Sequence, residues 1–190
     1  MKTGSAFLGR ACVSRGGPPA GVEPDRPRVF APTTGAGAAA IDMLLGGLTF
    51  HCFDIAVTAL EAAREIYTVT LGVEIWQTRE LAGTVWRRGR AVSLAGTLVA
   101  EGRLGSGLVR LVEPAAGHTV AREAIERRGE GLFSIGYQVD DPVAALGATL
   151  AARTLVEQFG PDRIRPAEIY LNGGSGLLLC LLQRDKPSPT

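Results

Sequence analysis

Histidine, lysine and cysteine are scarce in this chain, and each shortage removes a class of chemistry. The two histidines, His51 and His118, are too few for a metal site built on several imidazoles. The three cysteines, Cys12, Cys52 and Cys180, are an odd number and form no CxxC pair. That pattern argues against a disulfide framework or a zinc knuckle and fits a reducing cytoplasm. Lysine occurs only as Lys2 and Lys186, so arginine carries nearly all the positive charge, yet the formal net charge is just +1. Such a balance leaves no electrostatic footprint for nucleic acid or an anionic membrane. Aromatic residues are only 6% of the chain, which disfavours a stacking groove for single-stranded nucleic acid. No apolar run reaches the roughly 18 residues of a membrane span, and no secretory leader is legible at the N-terminus. The expectation is a cytoplasmic protein whose partner is a small molecule, not nucleic acid and not a membrane.

What is present is patterned from residue 48 onward. Residues 1–46, rich in Gly, Pro and Ala, keep no period of 2 or 3.6 and read as an N-terminal extension, with at most a short helix at "AAAIDMLL". Then "LTFHCFDIAV" predicts a strand, and "TALEAAREIYTVTLG" an amphipathic helix with Thr58 at its start and Gly72 at its end. Strands follow at "VEIWQTRE", "SLAGTLVAEG" and "GLVRLVEP", leaving residues 81–92 unassigned. A connector, "GHTVAREAIERRGEG", with room for its own helix, leads into a second round. "LFSIGYQV" is a strand, "DDPVAALGATLAARTLVEQ" a helix opened by Asp140 or Asp141 with Pro142 at N1, and "RPAEIYLN" and "GLLLCLLQR" are strands. The order β, α and several β recurs after about 80 residues, the mark of a duplication. The α+β domain should therefore span residues 47–186 as two modules, 47–116 and 117–186.

With this order, the stretches "DIAVTALEAAREIYTVTLGVE", "LVRLVEPAAG", "RRGEGLFSIGYQVDDPVAAL" and "GGSGLLLCLLQRD" make the chain resemble the vicinal oxygen chelate superfamily. That superfamily holds glyoxalase I, methylmalonyl-CoA epimerase, extradiol dioxygenases and bleomycin-resistance proteins. The resemblance runs from about Leu48 to Asp185. It implies two βαβββ modules whose strands curl into a cup-shaped, partly open mixed β-barrel, helices outside, with the site in the cup and homodimers common. Metalloenzymes of the superfamily place one ligand on each of four strands; the matching positions here are Cys52, Arg110, Ser134 and Cys180. A guanidinium has no lone pair for a cation, and its charge would repel one. The expectation is thus no metal and no cofactor.

Strand parity sorts the remaining candidates. Cys52 and Asp54 share one face of the opening strand, while His51 and Phe53 share the other. Asp54 should point into the cup, either to move a proton or to pair with Arg110. Arg110, flanked by aliphatic residues, must meet a carboxylate or a ligand anion, because a lone buried charge would cost several kcal/mol. It either takes the place of the metal and stabilises an enolate or carboxylate, or forms an internal ion pair. Cys52 and Cys180 read as core residues that line the site, with no nearby base to make either a nucleophile. Ser134 and Gln138 share a face and would orient a ligand, and Trp76 and Tyr170, with Trp86 and Phe133, are available to wall a pocket or to fill the core. His51 would enter the site only through a β-bulge, and His118 reads as a surface residue.

Two functions follow from the resemblance and these residues. The first is a metal-independent acid-base enzyme, an isomerase, epimerase or cyclase, acting on a carbonyl-bearing small molecule such as a polyketide or acyl intermediate of secondary metabolism. Asp54 and Arg110 would be its catalytic pair, with Cys52, Ser134, Gln138, Cys180, Trp76 and Tyr170 around the substrate. The second is a bleomycin-resistance-type protein that sequesters an antibiotic in the cup without chemistry.

Overall fold

The opening strand β1 (Thr49–Ala56) lies fourth in a sheet of ten described strands and forms the seam between its two sets. It pairs in parallel with β6 (Gly107–Glu113) on one side and antiparallel with β7 (Gly131–Val139) on the other. The computed structural model describes residues 48–151, 155–162, 164, 166–172 and 176–184. The extension over residues 1–46, its short helix and Cys12 lie outside the described residues.

On one side of the seam, β1, helix α1 (Leu60–Leu71), β2 (Glu74–Leu81), β5 (Thr97–Leu104) and β6 make the first βαβββ set. The second set is β7, helix α3 (Pro142–Ala151), β8 (Val156–Gly160), β9 (Glu168–Asn172) and β10 (Leu178–Gln183). A hairpin, β3 (Thr84–Arg87) and β4 (Arg90–Ser93), interrupts the first set, and helix α2 (Val120–Arg128) joins the two. The sheet runs β2-β5-β6-β1-β7-β10-β9-β8-β3-β4 and curls into a cup, giving an α+β fold.

Local signals explain most of these boundaries. Gly72 ends α1 in the left-handed region at φ 66°, where a Cβ would be strained. The start of α1 differs from expectation. Its N-cap is Ala59 with no side-chain cap, and the Leu60 N–H instead donates to the Glu113 carboxylate at 2.7 Å, a charge well placed at a helix N-terminus. Asp141 caps α3, its Oδ1 accepting from the N–H groups of Val143 (2.9 Å) and Ala144 (3.0 Å) with Pro142 at N1.

Two segments depart from the sequence reading. The expected helix over 140–158 gives way to strand by Val156, because Gln158 and Phe159 find partners in both β9 and β3. That pairing outweighs the helical propensity of the alanine-rich stretch before it. The unassigned residues 81–92 contain the hairpin, which turns on Arg88 (φ 47°) and Gly89 (φ 79°). Two consecutive positive φ values are the two-residue turn whose twist matches paired strands. Through Trp86↔Phe159 and Arg87↔Gln158 the hairpin extends the second set's edge, although it belongs in sequence to the first.

The two faces of the sheet carry separate cores. Outside, α1 covers Ile55, Val57, Val109 and Leu111, while Ala145 of α3 packs with Ile169, Leu171 and Leu181. Inside the cup, Cys52, Ala56, Val112, Phe133, Tyr170 and Cys180 pack against Val120, Ala121 and Ala124 of α2. The connector helix therefore lies on the inner face and fills much of the cup. Thr119 caps it by accepting from Arg122 N–H at 3.2 Å, and Gln158 accepts from Val120 N–H at 3.0 Å.

Candidate functional site

Register brings Asp54 and Arg110 together, since they are Cα partners in the parallel β1–β6 pair, with Ser134 opposite Asp54 across β7. Asp54 is fully buried and Arg110 is 5% exposed. The guanidinium forks onto the carboxylate, Nε to Oδ1 at 2.7 Å and Nη2 to Oδ2 at 3.1 Å, the geometry that makes such pairs strong and directional. Nη1 donates to Glu168 at 2.7 Å and Nη2 to the Tyr170 hydroxyl at 2.9 Å, while the Tyr170 hydroxyl lies 3.4 Å from the second Glu168 oxygen. Of the five guanidinium N–H groups, this leaves one on Nη1 without a partner among the described residues.

Burial works to lower the Arg110 pKa, but the Asp54 and Glu168 carboxylates outweigh it and hold the value well above the ordinary one. Arg110 is therefore a permanent cation. Burial also pushes the Cys52 and Cys180 thiols and the Tyr170 phenol upward, so all three stay protonated at neutral pH. Cys52 donates to Asp54 Oδ1 at 3.3 Å, and Cys180 lies 3.8 Å from Arg110 Nη2. The Ser134 hydroxyl is buried and has no hydrogen-bond partner among the described residues.

A cavity of about 40 Å³ opens in front of this network, lined by Arg110, Glu168, Tyr170, Phe133, Thr97 and Gln158 among others. Its rim includes Arg79 and Glu168, whose side chains are 52% and 31% exposed. Arg110 and Tyr170 thus face the cavity. Asp54, Cys52, Ser134 and Cys180 pack around them without lining it, and Gln138 is half-buried farther along the same face of β7. Trp76 stands elsewhere, on the outer face. It packs over Gly102, where an added Cβ would come within 2.7 Å of its ring, and donates from Nε1 to Thr68 at 2.8 Å.

Two bulges rearrange the expected parity. The β1–β7 register slips between Phe50 and Cys52, at His51, but His51 is half-buried and does not line the cavity. A second slip, between Asp54 and Ile55, places Phe133 as the extra residue of β7, fully buried and stacked on Tyr170 at 6.1 Å. Glu168 was not among the sequence candidates. The signal for it was its place two residues before Tyr170 on one strand, hence on the same face.

The four positions that the resemblance matches to metal ligands carry two protonated thiols, a hydroxyl with no partner among the described residues and a guanidinium already committed to two carboxylates. This donor set does not fit a divalent cation. Among the described residues no group of three or more His, Cys, Asp or Glu side chains is placed to hold one.

No family profile matches the sequence, and no curated protein matches it either. Solved structures do. A hypothetical protein from Bacillus halodurans is similar at 17% identity with a TM-score of 0.53, covering 75% of this chain and 99% of its own. Methylmalonyl-CoA epimerase from Mycobacterium tuberculosis is similar at 17% identity with a TM-score of 0.52, covering 74% of this chain and 89% of its own. A variant of the Streptomyces coelicolor epimerase, solved with 2-nitronate-propionyl-CoA, gives 18% identity and a TM-score of 0.53, covering 73% and 99%. The chain has the vicinal oxygen chelate fold. At these identities the likeness speaks for the vicinal oxygen chelate architecture, of the kind epimerases use, and the chemistry must be argued from the side chains. Among the described residues no helix is long and apolar enough to cross a membrane.

Proposed function

We propose that this chain is a metal-independent acid-base enzyme of the isomerase or epimerase type, acting on a small acyl compound with an acidic hydrogen beside its carbonyl. The observation that carries this reading is the cavity wall, where a fixed cation and a carboxylate stand side by side. The free Nη1 hydrogen of Arg110 meets the carbonyl oxygen and stabilises the enolate that forms as the neighbouring C–H bond is broken. Glu168, at the rim and part-exposed, takes that proton and returns it to the carbon, to the opposite face when the enolate has turned in the site. Asp54, with both oxygens held by Arg110, serves as the fixed counter-ion that orients the guanidinium, the second of the two roles, proton transfer or pairing with Arg110, that the sequence left open for it. Ser134, Cys52 and Cys180 support this pair from beneath.

The epimerase structures solved with 2-nitronate-propionyl-CoA and with methylmalonyl-CoA make acyl thioesters the first compounds to try. The cavity admits only a compact polar head, far smaller than the roughly 300–1,000 Å³ that encloses a drug-sized ligand. That size favours chemistry on a short acyl group over sequestration of an antibiotic. The test is deuterium uptake at the α-carbon of a panel of short branched and β-keto acyl thioesters in heavy water, followed by mass spectrometry. The native chain should exchange at least one of them, and Glu168→Gln should slow exchange by about 10²-fold or more while circular dichroism stays native. Exchange that survives Glu168→Gln, or no exchange for compounds shown to bind, would sink the proposal.

A further inference from the structure

A second cavity, of about 150 Å³, lies between α2 and the turn of the β3–β4 hairpin, and Phe133 is the one lining residue it shares with the Arg110 chamber. Its walls carry four guanidinium groups, from Arg87, Arg88, Arg127 and Arg128, against two carboxylates, Glu123 and Glu157. Both acids are oversubscribed. Glu123 is shared by Arg87, by Arg88 at 3.4 Å and by Arg127 at 2.7 Å, and Glu157 is held by Arg88 at 2.7 Å and by Asn172 at 3.1 Å. Arg128 has no carboxylate among the described residues and donates to the Gly176 carbonyl at 2.5 Å.

The cluster is built into the fold. Arg87 is 8% exposed, fixed by a bond from Nη1 to the His118 carbonyl at 2.8 Å, and its buried Nε has no hydrogen-bond partner among the described residues. Burial first, and the neighbouring Arg88 and Arg127 after it, depress the Arg87 pKa against the opposing pull of Glu157 and Glu126. Concentrating positive charge around a concave, partly buried space costs free energy unless an anion enters it. The floor is apolar, formed by Val120, Ala124, Phe133 and Leu178. The ligand this suits is small, carries two negative charges on adjacent oxygens, and has an organic portion to cover that floor. Planar guanidinium forks match phosphoryl oxygens in spacing and number of donors.

We infer that this arginine-lined cavity binds the phosphoryl group of a small organic phosphate, at a site separate from the Arg110 chamber. The hairpin supplies Arg87 and Arg88, and the last turn of α2 supplies Arg127 and Arg128. Because α2 also covers the inner core, occupancy of this site bears on the helix that fills the cup.

The experiment is calorimetric titration of the full chain with inorganic phosphate, inorganic pyrophosphate and ADP, repeated at several salt concentrations. At least one should bind, with affinity falling as salt rises. ADP stronger than pyrophosphate marks the apolar floor as part of the site, and equal affinities mark a purely ionic one; both support phosphoryl recognition. In the double variant Arg127→Gln with Arg128→Gln, both exposed in the native fold, the dissociation constant should rise about tenfold or more and its salt dependence should flatten. Glu168→Gln should leave it unchanged, so failure at this cavity and failure of the proposed chemistry are separately visible. No binding of any of the three, or binding indifferent to the arginine variants, overturns the inference.

Discussion

Arg110 and Asp54 show how a buried ion pair differs from a surface one. Both are almost removed from solvent, so the attraction between them is unscreened, and the cost of stranding either one is large. Replacing Asp54 with Ala leaves the guanidinium facing a void with Glu168 as its remaining acid partner. The expected loss is about 3 kcal/mol, the low end of the 3–5 kcal/mol range, because that one ion pair survives. Urea denaturation measures it. Ser134 should behave in the opposite way. Its hydroxyl is buried without a partner among the described residues, so Ser134→Ala should hold or raise stability by up to about 1 kcal/mol, with the direction read from the melting temperature. A fall of more than that would mean the hydroxyl makes a bond in solution. The Asp54–Arg110 contact was legible in the sequence, because strand parity put Asp54 in the cup and a charge amid aliphatic residues demanded a partner. Glu168 was missed although it stands two residues before the candidate Tyr170, because nothing local in "RPAEIYLN" shows that this strand brings a carboxylate to the Arg110 guanidinium. Trp76 was misleading for a related reason. An aromatic residue on a strand fits either face, and here Gly102 and α1 offered the outer one.

At the level of elements, the duplicated order was readable because each half repeats the same succession of hydrophobic periods. The hairpin and β8 were not. Their pairing joins residues some 70 apart in sequence, Trp86 with Phe159, and such contacts leave no local pattern. The turn of the hairpin also uses Arg-Gly in place of the commoner Asn-Gly or Asp-Gly signal. The β1–β7 seam carries a sharper constraint. An added Cβ at Gly136 would sit 2.5 Å from the Cys52 sulfur and 2.9 Å from a Leu182 methyl. Gly136→Ala should therefore cost about 1–3 kcal/mol through overpacking. Adding Cys52→Ala removes the nearer atom and should recover part of that loss. A double-mutant cycle on denaturation midpoints gives the coupling, and strict additivity would show that the contact is not the cause.

Across the whole molecule, the two faces of the sheet divide the physical work. The outer face is ordinary helix-on-sheet packing, whereas the inner face gathers ionisable groups that burial holds in fixed states. That arrangement makes stability depend on pH on the alkaline side. The Cys52 and Cys180 thiols and the Tyr170 phenol have folded pKa values raised above the ordinary 9.0 and 10.0, burial being the first cause in each case. Arg110 opposes the rise in all three, yet stays charged throughout and does not itself titrate there. An unfolded chain releases these protons near the ordinary values, while the folded chain keeps them to higher pH. Above pH 9.0 the unfolded state thus binds fewer protons, and stability falls as pH rises. The contribution is whole below that value and is lost progressively above it, first through the thiols and then, beyond 10.0, through the phenol. Urea midpoints measured from about pH 7.5 to pH 10.5 should stay level and then decline. Substituting both thiols with alanine should delay the onset, and Tyr170→Phe should flatten the steepest part. A decline that is the same in all three proteins would place its origin outside the cup.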